Sequence, residues 1–356
     1  MSIPSVSLAY RRSALMTATK VTTKPPTKEV IEAREDFAAF CTHLGKPPAK
    51  HMLEWHVELC TGVDSECLLG VGGKNTSILA PRGSAKSTVL GLFAAWMIGR
   101  HAQAKQMLRI LYISYMVDIA RAKSATIKGI LASSKFREVF PMVRLSKIRR
   151  SDEYWSIDYE FAGIDTSGEE AFTIACGGLK GAITSKRSQL VLIDDPIKSA
   201  VSINNPDIRR EMETTWTNVI APTMFQGARA ICLGTRFHFD DLHATLFVPK
   251  NNWKQVVQQA IITSEDGKQR SYWPEFWSMK YLKERKMEDR VAFAYQYMNT
   301  AVQSSEVGIS PDLIIKGVVP DDYDCLGVGI DLSSGMNEKN DWTVFTLGGI
   351  SEGKIY

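Results

Sequence analysis

A chain of 356 residues, 44% hydrophobic and 23% charged, has the composition of an ordinary soluble protein, with enough length to bury a core and hold more than one domain. Its net charge of +4 excludes an overwhelming global pull on nucleic acid, though it leaves room for a local basic surface. The six cysteines are scattered without a C-x-x-C pair, which argues against a zinc site or a disulfide framework. No apolar run is long enough to span a bilayer and no signal peptide is visible, so a reducing cytoplasm is the simplest home.

Residues 1–26, rich in Ser, Thr, Lys and Pro, read as a flexible tail. Thr27 is placed to cap a helix running to Leu44, with Gly45 as its stop, and "HMLEWHVELC" from His51 has helical spacing. "TSILA" (76–80) reads as a short apolar strand, followed by the loop "APRGSAKST" (80–88) and the helix "STVLGLFAAWMIGR". "MLRILYISY" (107–115) reads as a buried strand and "DIARAKSATIKGILASS" as an amphipathic helix. "YWSIDYEF", "AFTIAC", "SQLVLIDD", "ARAICLGT" and "WKQVVQQAII" read as further strands, with a polar helix over 206–219. "SMKYLKERKMEDRVAFAYQYM" is helical in pattern, and "CLGVGIDLS" and "DWTVFTLGGI" open a fresh strand pair. No internal repeat is visible. Strands alternating with helices point to an open α/β sheet.

The loop almost spells the phosphate-binding pattern G-x-x-x-x-G-K-[ST], with Ala80 and Ala85 in place of both glycines. A nucleoside triphosphate site needs backbone N–H groups around the phosphates, a cation to neutralise them, and an acid that holds Mg²⁺ together with a hydroxyl. Lys86 supplies the cation, Ser87 the hydroxyl, Gly83 the bend and Arg82 a second cation, while Ser84, Ala85 and Thr88 complete the cradle. Alanine at 85 is tolerable if its φ stays negative. Lys86 is expected to face solvent until phosphate arrives. The plain alternative is that Lys86-Ser87-Thr88 merely begins a helix.

A partner motif weighs against that alternative. Leu190 to Asp195 is an apolar strand ending in two carboxylates, the arrangement called Walker B. Asp194 is the expected Mg²⁺ holder. Asp195 stands where a general base would polarise the attacking water, although aspartate is one methylene shorter than the more usual glutamate; Glu211 and Glu213 are the reserve candidates. Thr235, at the end of the strand before Arg236, is placed to sense the γ-phosphate. His238 and His243 lack further residues to complete a metal-ligand set, so ordinary polar roles are expected. Asp331 lies within the first strand of the last unit and Asp341 shortly after, a pattern of metal ligands for phosphodiester hydrolysis or simply of a hairpin with a polar turn.

Together "LAPRGSAKST", "GLKGAITSKRSQLVLIDDP", "LGTRFHFDDL" and "GIDLSSG" with "NDWTVF" resemble the large terminase subunit of tailed bacteriophages, an ATP-driven motor that packages viral DNA. "HMLEWHVEL" resembles that family's segment on the adenine side. The likeness covers roughly residues 35–356 and implies a P-loop NTPase (RecA/ASCE-like) open sheet, followed by the start of a ribonuclease-H-like nuclease. The implied organisation is a tail at 1–30, an ATPase domain at 31–255, a linker or lid at 256–320 and the nuclease start at 321–356. It further implies ATP and Mg²⁺ at the motor, Mg²⁺ or Mn²⁺ at Asp331 and Asp341, and four partners: double-stranded DNA, the portal protein with its procapsid, the small terminase subunit, and ring neighbours of the same chain. The implied place is the host cytoplasm at the portal vertex, outside the mature virion and away from membranes. Because Tyr356 follows Asp331 so closely, a fragment or one part of a split protein is expected. Arg82, Lys186, Arg187 and Arg236 are candidates for a cation acting on a ring neighbour. A helicase-type translocase and a nucleotide-switched scaffold remain the competing functions.

Overall fold

The computed structural model describes residues 25–49, 55, 59–60, 75–179, 186–238, 240–246, 253–300, 320–331 and 344–355. Helices α1 (Lys28–Glu35) and α2 (Phe37–His43) replace the single helix expected over 27–44. Asp36 makes the break: its extended backbone ends α1, and its side chain accepts a hydrogen bond from the Ala39 N–H at 2.6 Å to start α2. Thr27 caps α1 as expected. The helix expected from His51 lies mostly outside the described residues.

The order then runs β1 (Asn75–Leu79), α3 (Lys86–Gln103), β2 (Ile110–Ser114), α4 (Val117–Ala132), α5 (Ser134–Val139), β3 (Leu145–Arg150), β4 (Tyr154–Ile157), α6 (Tyr159–Ala162), β5 (Ile174–Gly178) and β6 (Ser188–Asp194). It continues through α7 (Ala200–Asn204), α8 (Pro206–Thr214), β7 (Met224–Gly234), α9 (Leu242–Leu246) and β8 (Trp253–Val257). "YWSIDYEF" is strand only as far as Ile157, because the Asp158 side chain caps the short helix α6. The edge strand β3 was not legible as one: with Lys147, Arg149 and Arg150 it lacks an apolar face.

These strands form one eight-stranded sheet in the order β3-β4-β5-β2-β6-β7-β1-β8. β5 through β8 in that order are parallel; near one edge β4 alone runs antiparallel, pairing with β5 on one side and with the edge strand β3 on the other. The central strands are apolar on both faces, as "ILYIS" and "LVLI" show, because both faces are covered. One apolar cluster, with Phe37, Trp96, Ile127 and Trp155, lies on the side of α3 and α4. The other, with Ile193, Met212, Trp216 and Leu242, lies on the side of α8 and α9. The sheet order puts β7 between β1 and β6, so the loop after β1, the acids after β6 and Thr235 after β7 all emerge at the carboxyl edge of adjacent strands.

Beyond β8 come a small pair, β9 (Ile261–Thr263) with β10 (Gln269–Ser271), and helices α10 (Met279–Glu288) and α11 (Arg290–Gln296). β11 (Cys325–Asp331), β12 (Val344–Ser351) and β13 (Lys354–Ile355) form a separate antiparallel sheet.

Candidate active site

β1 ends under the loop 80–85, which is closed from both sides by backbone bonds. Ala80 N–H donates to Gly234 O at 3.1 Å, Ser84 N–H to Pro81 O at 3.2 Å, and Arg82 N–H to Gln296 O at 2.8 Å. Gly83 turns at φ +83°, a conformation that favours glycine, and packs against Trp277, whose Cζ2 a β-carbon there would meet at an ordinary contact of 3.4 Å. Ala85 corrects the expectation of a negative φ: it sits at +61° as the N-cap of α3. A left-handed alanine costs roughly 1–2 kcal/mol, strain that the surrounding bonds must hold. No side chain caps α3, and no acid occupies its first turn, so its N–H groups point outward unneutralised.

Lys86, the first residue of α3, does not face solvent; it is 5% exposed. Its Nζ donates to Thr235 Oγ1 at 3.2 Å and lies 3.3 Å from Asp195 Oδ1. One residue on, Ser87 Oγ donates to Asp194 Oδ1 at 2.8 Å. The other Asp194 oxygen accepts from the Tyr112 hydroxyl at 3.0 Å, and Ser114 Oγ donates to the Asp194 carbonyl at 2.7 Å. Four of the expected residues therefore meet in one cluster, two from the loop helix and two from the end of β6, with Thr235 joining from β7.

Asp194 is 1% exposed. Burial, and then the neighbouring carboxylate of Asp195, raise its pKa above the usual aspartate value, against the hydrogen bonds from Ser87 and Tyr112. Burial, and then the charge and hydrogen bond of Asp194, drive the Tyr112 hydroxyl well above its ordinary value, so it remains a donor. Asp195 differs from its neighbour in being half exposed. Its backbone sits at φ +47°, a region aspartate tolerates, and its N–H donates to Leu233 O at 2.8 Å. That kink turns its carboxylate away from the strand and toward a cavity of about 290 Å³. Arg82, Lys86, Lys123, Asp195, Lys198 and Thr235 contribute to its lining. A larger cavity of about 590 Å³ opens beside it between α3 and α4, lined in part by Ser87, Thr88, Gly91, Lys123 and Lys46. Lys123 borders both.

Thr235 is positioned from below. A β-carbon at Gly234 would fall 2.6 Å from His243 Nε2, so the strand end closes directly onto the imidazole. His243 is wholly buried, its Nδ1 lies 3.1 Å from Ser77 Oγ, and burial lowers its pKa to about 4. It is a neutral structural histidine. Arg236 pairs with buried Asp241 at 3.3 Å, and the Asp241 carboxylate also accepts from the Phe237 and His238 N–H groups. Of the candidate outward cations, Arg82 lines the smaller cavity, while Lys186 pairs with Glu170 and Arg187 lies toward Phe225. Glu211 and Glu213 lie on the exposed side of α8.

Asp331 is the last described residue of β11 and is exposed; Asp341 lies outside the described residues. No group of three or more His, Cys, Asp or Glu that could hold a metal occurs among the described residues. Tyr112, Ser114 and Lys123 escaped the reading of the sequence. A Tyr and a Ser two apart in an otherwise apolar strand, at the same edge as the aspartates, were the available signal for the first two.

No protein-family model and no curated protein matches the chain. Among solved structures it is similar to the large terminase of a thermophilic bacteriophage in complex with ADP, at TM-score 0.43 and 14% identity over 87% of this chain and 67% of that one. It is similar also to the HK97 bacteriophage large terminase, at 0.44 and 15% over 92% and 66%. A third is the ATPase domain of the Thermus phage P74-26 large terminase, at 0.40 and 15% over 74% and 97%. The chain thus spans about two thirds of the first two of these proteins. At such distance none of these likenesses assigns a role to a residue here.

Proposed function

We propose that this chain binds and hydrolyses ATP at the carboxyl edge of β1, β6 and β7, as the motor subunit of a large terminase that drives double-stranded DNA into a procapsid. One observation carries the reading: Lys86 reaches Thr235 and Asp195 while the adjacent Ser87 holds Asp194. A helix start with no use for an anion has no reason to bury a lysine against a strand-end threonine and an acid.

The donor set suits a hard cation, since Ser87 and Asp194 offer oxygen alone. Ser87 and Asp194 would hold Mg²⁺, which when bound neutralises charge on the β- and γ-phosphates. Lys86 exchanges its present partners for phosphate oxygens. Thr235, released from Lys86, is left to read the terminal phosphate. Asp195 faces the cavity with an accessible carboxylate and takes a proton from the attacking water. The outward N–H groups at the start of α3 cradle the phosphates, with Arg82 as a second cation. The larger cavity, entered past Thr88, gives the nucleoside room.

On the same reading Asp331 and Asp341 would be metal ligands of a ribonuclease-H-like endonuclease of the complete protein, one that uses Mg²⁺ or Mn²⁺. The working assembly is a ring on the portal, with the procapsid and small terminase subunit as partners, in the host cytoplasm. The test is ATP turnover with and without duplex DNA, together with a forked-duplex unwinding assay. The motor reading expects turnover that DNA stimulates and no unwinding. Turnover indifferent to DNA points to a nucleotide-switched scaffold, and unwinding points to a helicase; either result removes the packaging assignment.

A further inference from the structure

The end of β7 that carries Thr235 is held by a residue far along the chain. Asn299 is 6% exposed and sits at φ +51°, a conformation that asparagine adopts more readily than most residues. Its Oδ1 accepts from the Arg236 N–H at 3.3 Å, directly after Thr235. Its Nδ2 donates to the Gln258 carbonyl at 2.8 Å, directly after β8. In the sheet, β1 lies between β7 and β8. Asn299 therefore bridges the two flanking strands across the carboxyl end of the strand that feeds the phosphate loop.

The circuit closes on β1 itself. Gln258 N–H donates to Leu79 O at 2.8 Å, and Thr235 Oγ1 lies 3.4 Å from Ala80 O. A carboxamide meets both demands at once, because one partner is an N–H and the other a carbonyl; an ionised aspartate lacks the donor and alanine lacks both functions. The same segment reaches the loop twice more, through Gln296 O to the Arg82 N–H and through Trp277 against Gly83. A brace at this point sets how far Thr235 stands from Lys86, now 3.2 Å. A shift on the order of 1 Å in such a pair is enough to alter turnover strongly.

We propose that Asn299 is a positioning residue for nucleotide hydrolysis, clasping the ends of β7 and β8 over β1 so that Thr235 keeps its register with the phosphate loop. This rests on the ATPase reading above, and the experiment separates the two. Hydrogen exchange in the nucleotide-free protein reads the clasp, and steady-state ATP kinetics read its consequence. Asn299→Ala should speed exchange at the Arg236 amide about tenfold and leave the β6 amides unchanged. Asn299→Asp keeps the size, the backbone preference and one acceptor, but sets a carboxylate against the Gln258 carbonyl. It should lower kcat per folded molecule about tenfold and hold KM within about twofold, with a loss of Tm from the buried carboxylate that by itself would not change kcat per folded molecule. A merely structural role would lower Tm and leave kcat per folded molecule alone. Wild-type exchange at Arg236 in folded Asn299→Ala, or wild-type kcat in Asn299→Asp, overturns the proposal. If Asn299→Ala does not fold, exchange is read in Asn299→Asp, where an unaltered Arg236 amide has the same force. A wild-type chain that turns over no ATP defeats the ATPase reading and with it the kinetic role, while the exchange result still decides whether the clasp exists.

Discussion

The carboxyl edge of the large sheet and the hairpin β11–β12 both present an aspartate at the end of an apolar strand, yet they are built differently. Asp194 is enclosed, bonded by Ser87, Tyr112 and Ser114, and flanked by a second acid and a lysine. Asp331 stands exposed at the end of β11, a strand exposed along its whole length, and Leu326, Val328, Phe345 and Leu347 around it are exposed as well. The contrast teaches what a strand-end acid needs before it can do chemistry. Preorganised neighbours fix its position, and burial tunes its charge. The first region has both. The described part of the second has neither.

The sharpest way to break this comparison is at the cavity-facing acid. Asp195→Asn should retain nucleotide binding and lose about 10²–10⁴-fold in kcat, since an amide is a poor base. Single-turnover hydrolysis alongside fluorescent-nucleotide binding checks it, and normal hydrolysis would move the base elsewhere, with Glu211 and Glu213 the first to examine.

The buried acid should respond in two opposite ways. Its folded pKa is raised, so the proton favours the folded state and that contribution is lost as pH rises through the raised value. At neutral pH the charged carboxylate is therefore a net cost without a metal. Asp194→Asn should raise the Tm of the nucleotide-free protein at pH 7 by a few degrees while weakening Mg²⁺-dependent nucleotide binding at least tenfold. In the wild type, Mg²⁺ affinity should fall as pH drops through a range above that of an ordinary aspartate, and the variant should lose this dependence. A calorimetric scan and a metal titration at several pH values read both effects.

The smallest effect belongs to the hairpin. Asp331→Ala should change ATP turnover less than about twofold, because no described contact joins it to the motor cluster. Plasmid incubation with Mg²⁺ or Mn²⁺ should give no Asp331-dependent cleavage by this chain, since a two-metal site needs several carboxylates holding ions roughly 3.5–4 Å apart, and no such group occurs among the described residues. Cleavage lost in Asp331→Ala would erase the contrast between the two regions.

Much of the first region could be read from the chain alone, for a physical reason. A parallel strand buried on both faces must be almost wholly apolar, so "LVLIDD" and "ICLGT" declare both the strand and the point where it meets the edge. The alternation with helices then requires those edges to lie together. What stayed hidden depends on pairs distant in sequence. Tyr112 matters only because β2 pairs with β6, and Asn299 only because β8 flanks β1. Ala85 misled because its composition argued for a relaxed backbone, whereas the loop's outside bonds impose a left-handed one. Lys86 misled likewise: nothing local shows that Thr235 and Asp195 would enclose it.

Everything proposed for the motor site depends on Lys86 being a phosphate-binding cation rather than a structural lysine. The direct measurement is Mg²⁺-dependent ATP hydrolysis by wild type and Lys86→Ala, with thermal unfolding of both recorded alongside. A phosphate-binding Lys86 predicts measurable turnover in the wild type and a loss of at least about 10³-fold in a Lys86→Ala protein that still unfolds cooperatively. Wild-type turnover in that folded variant would contradict it.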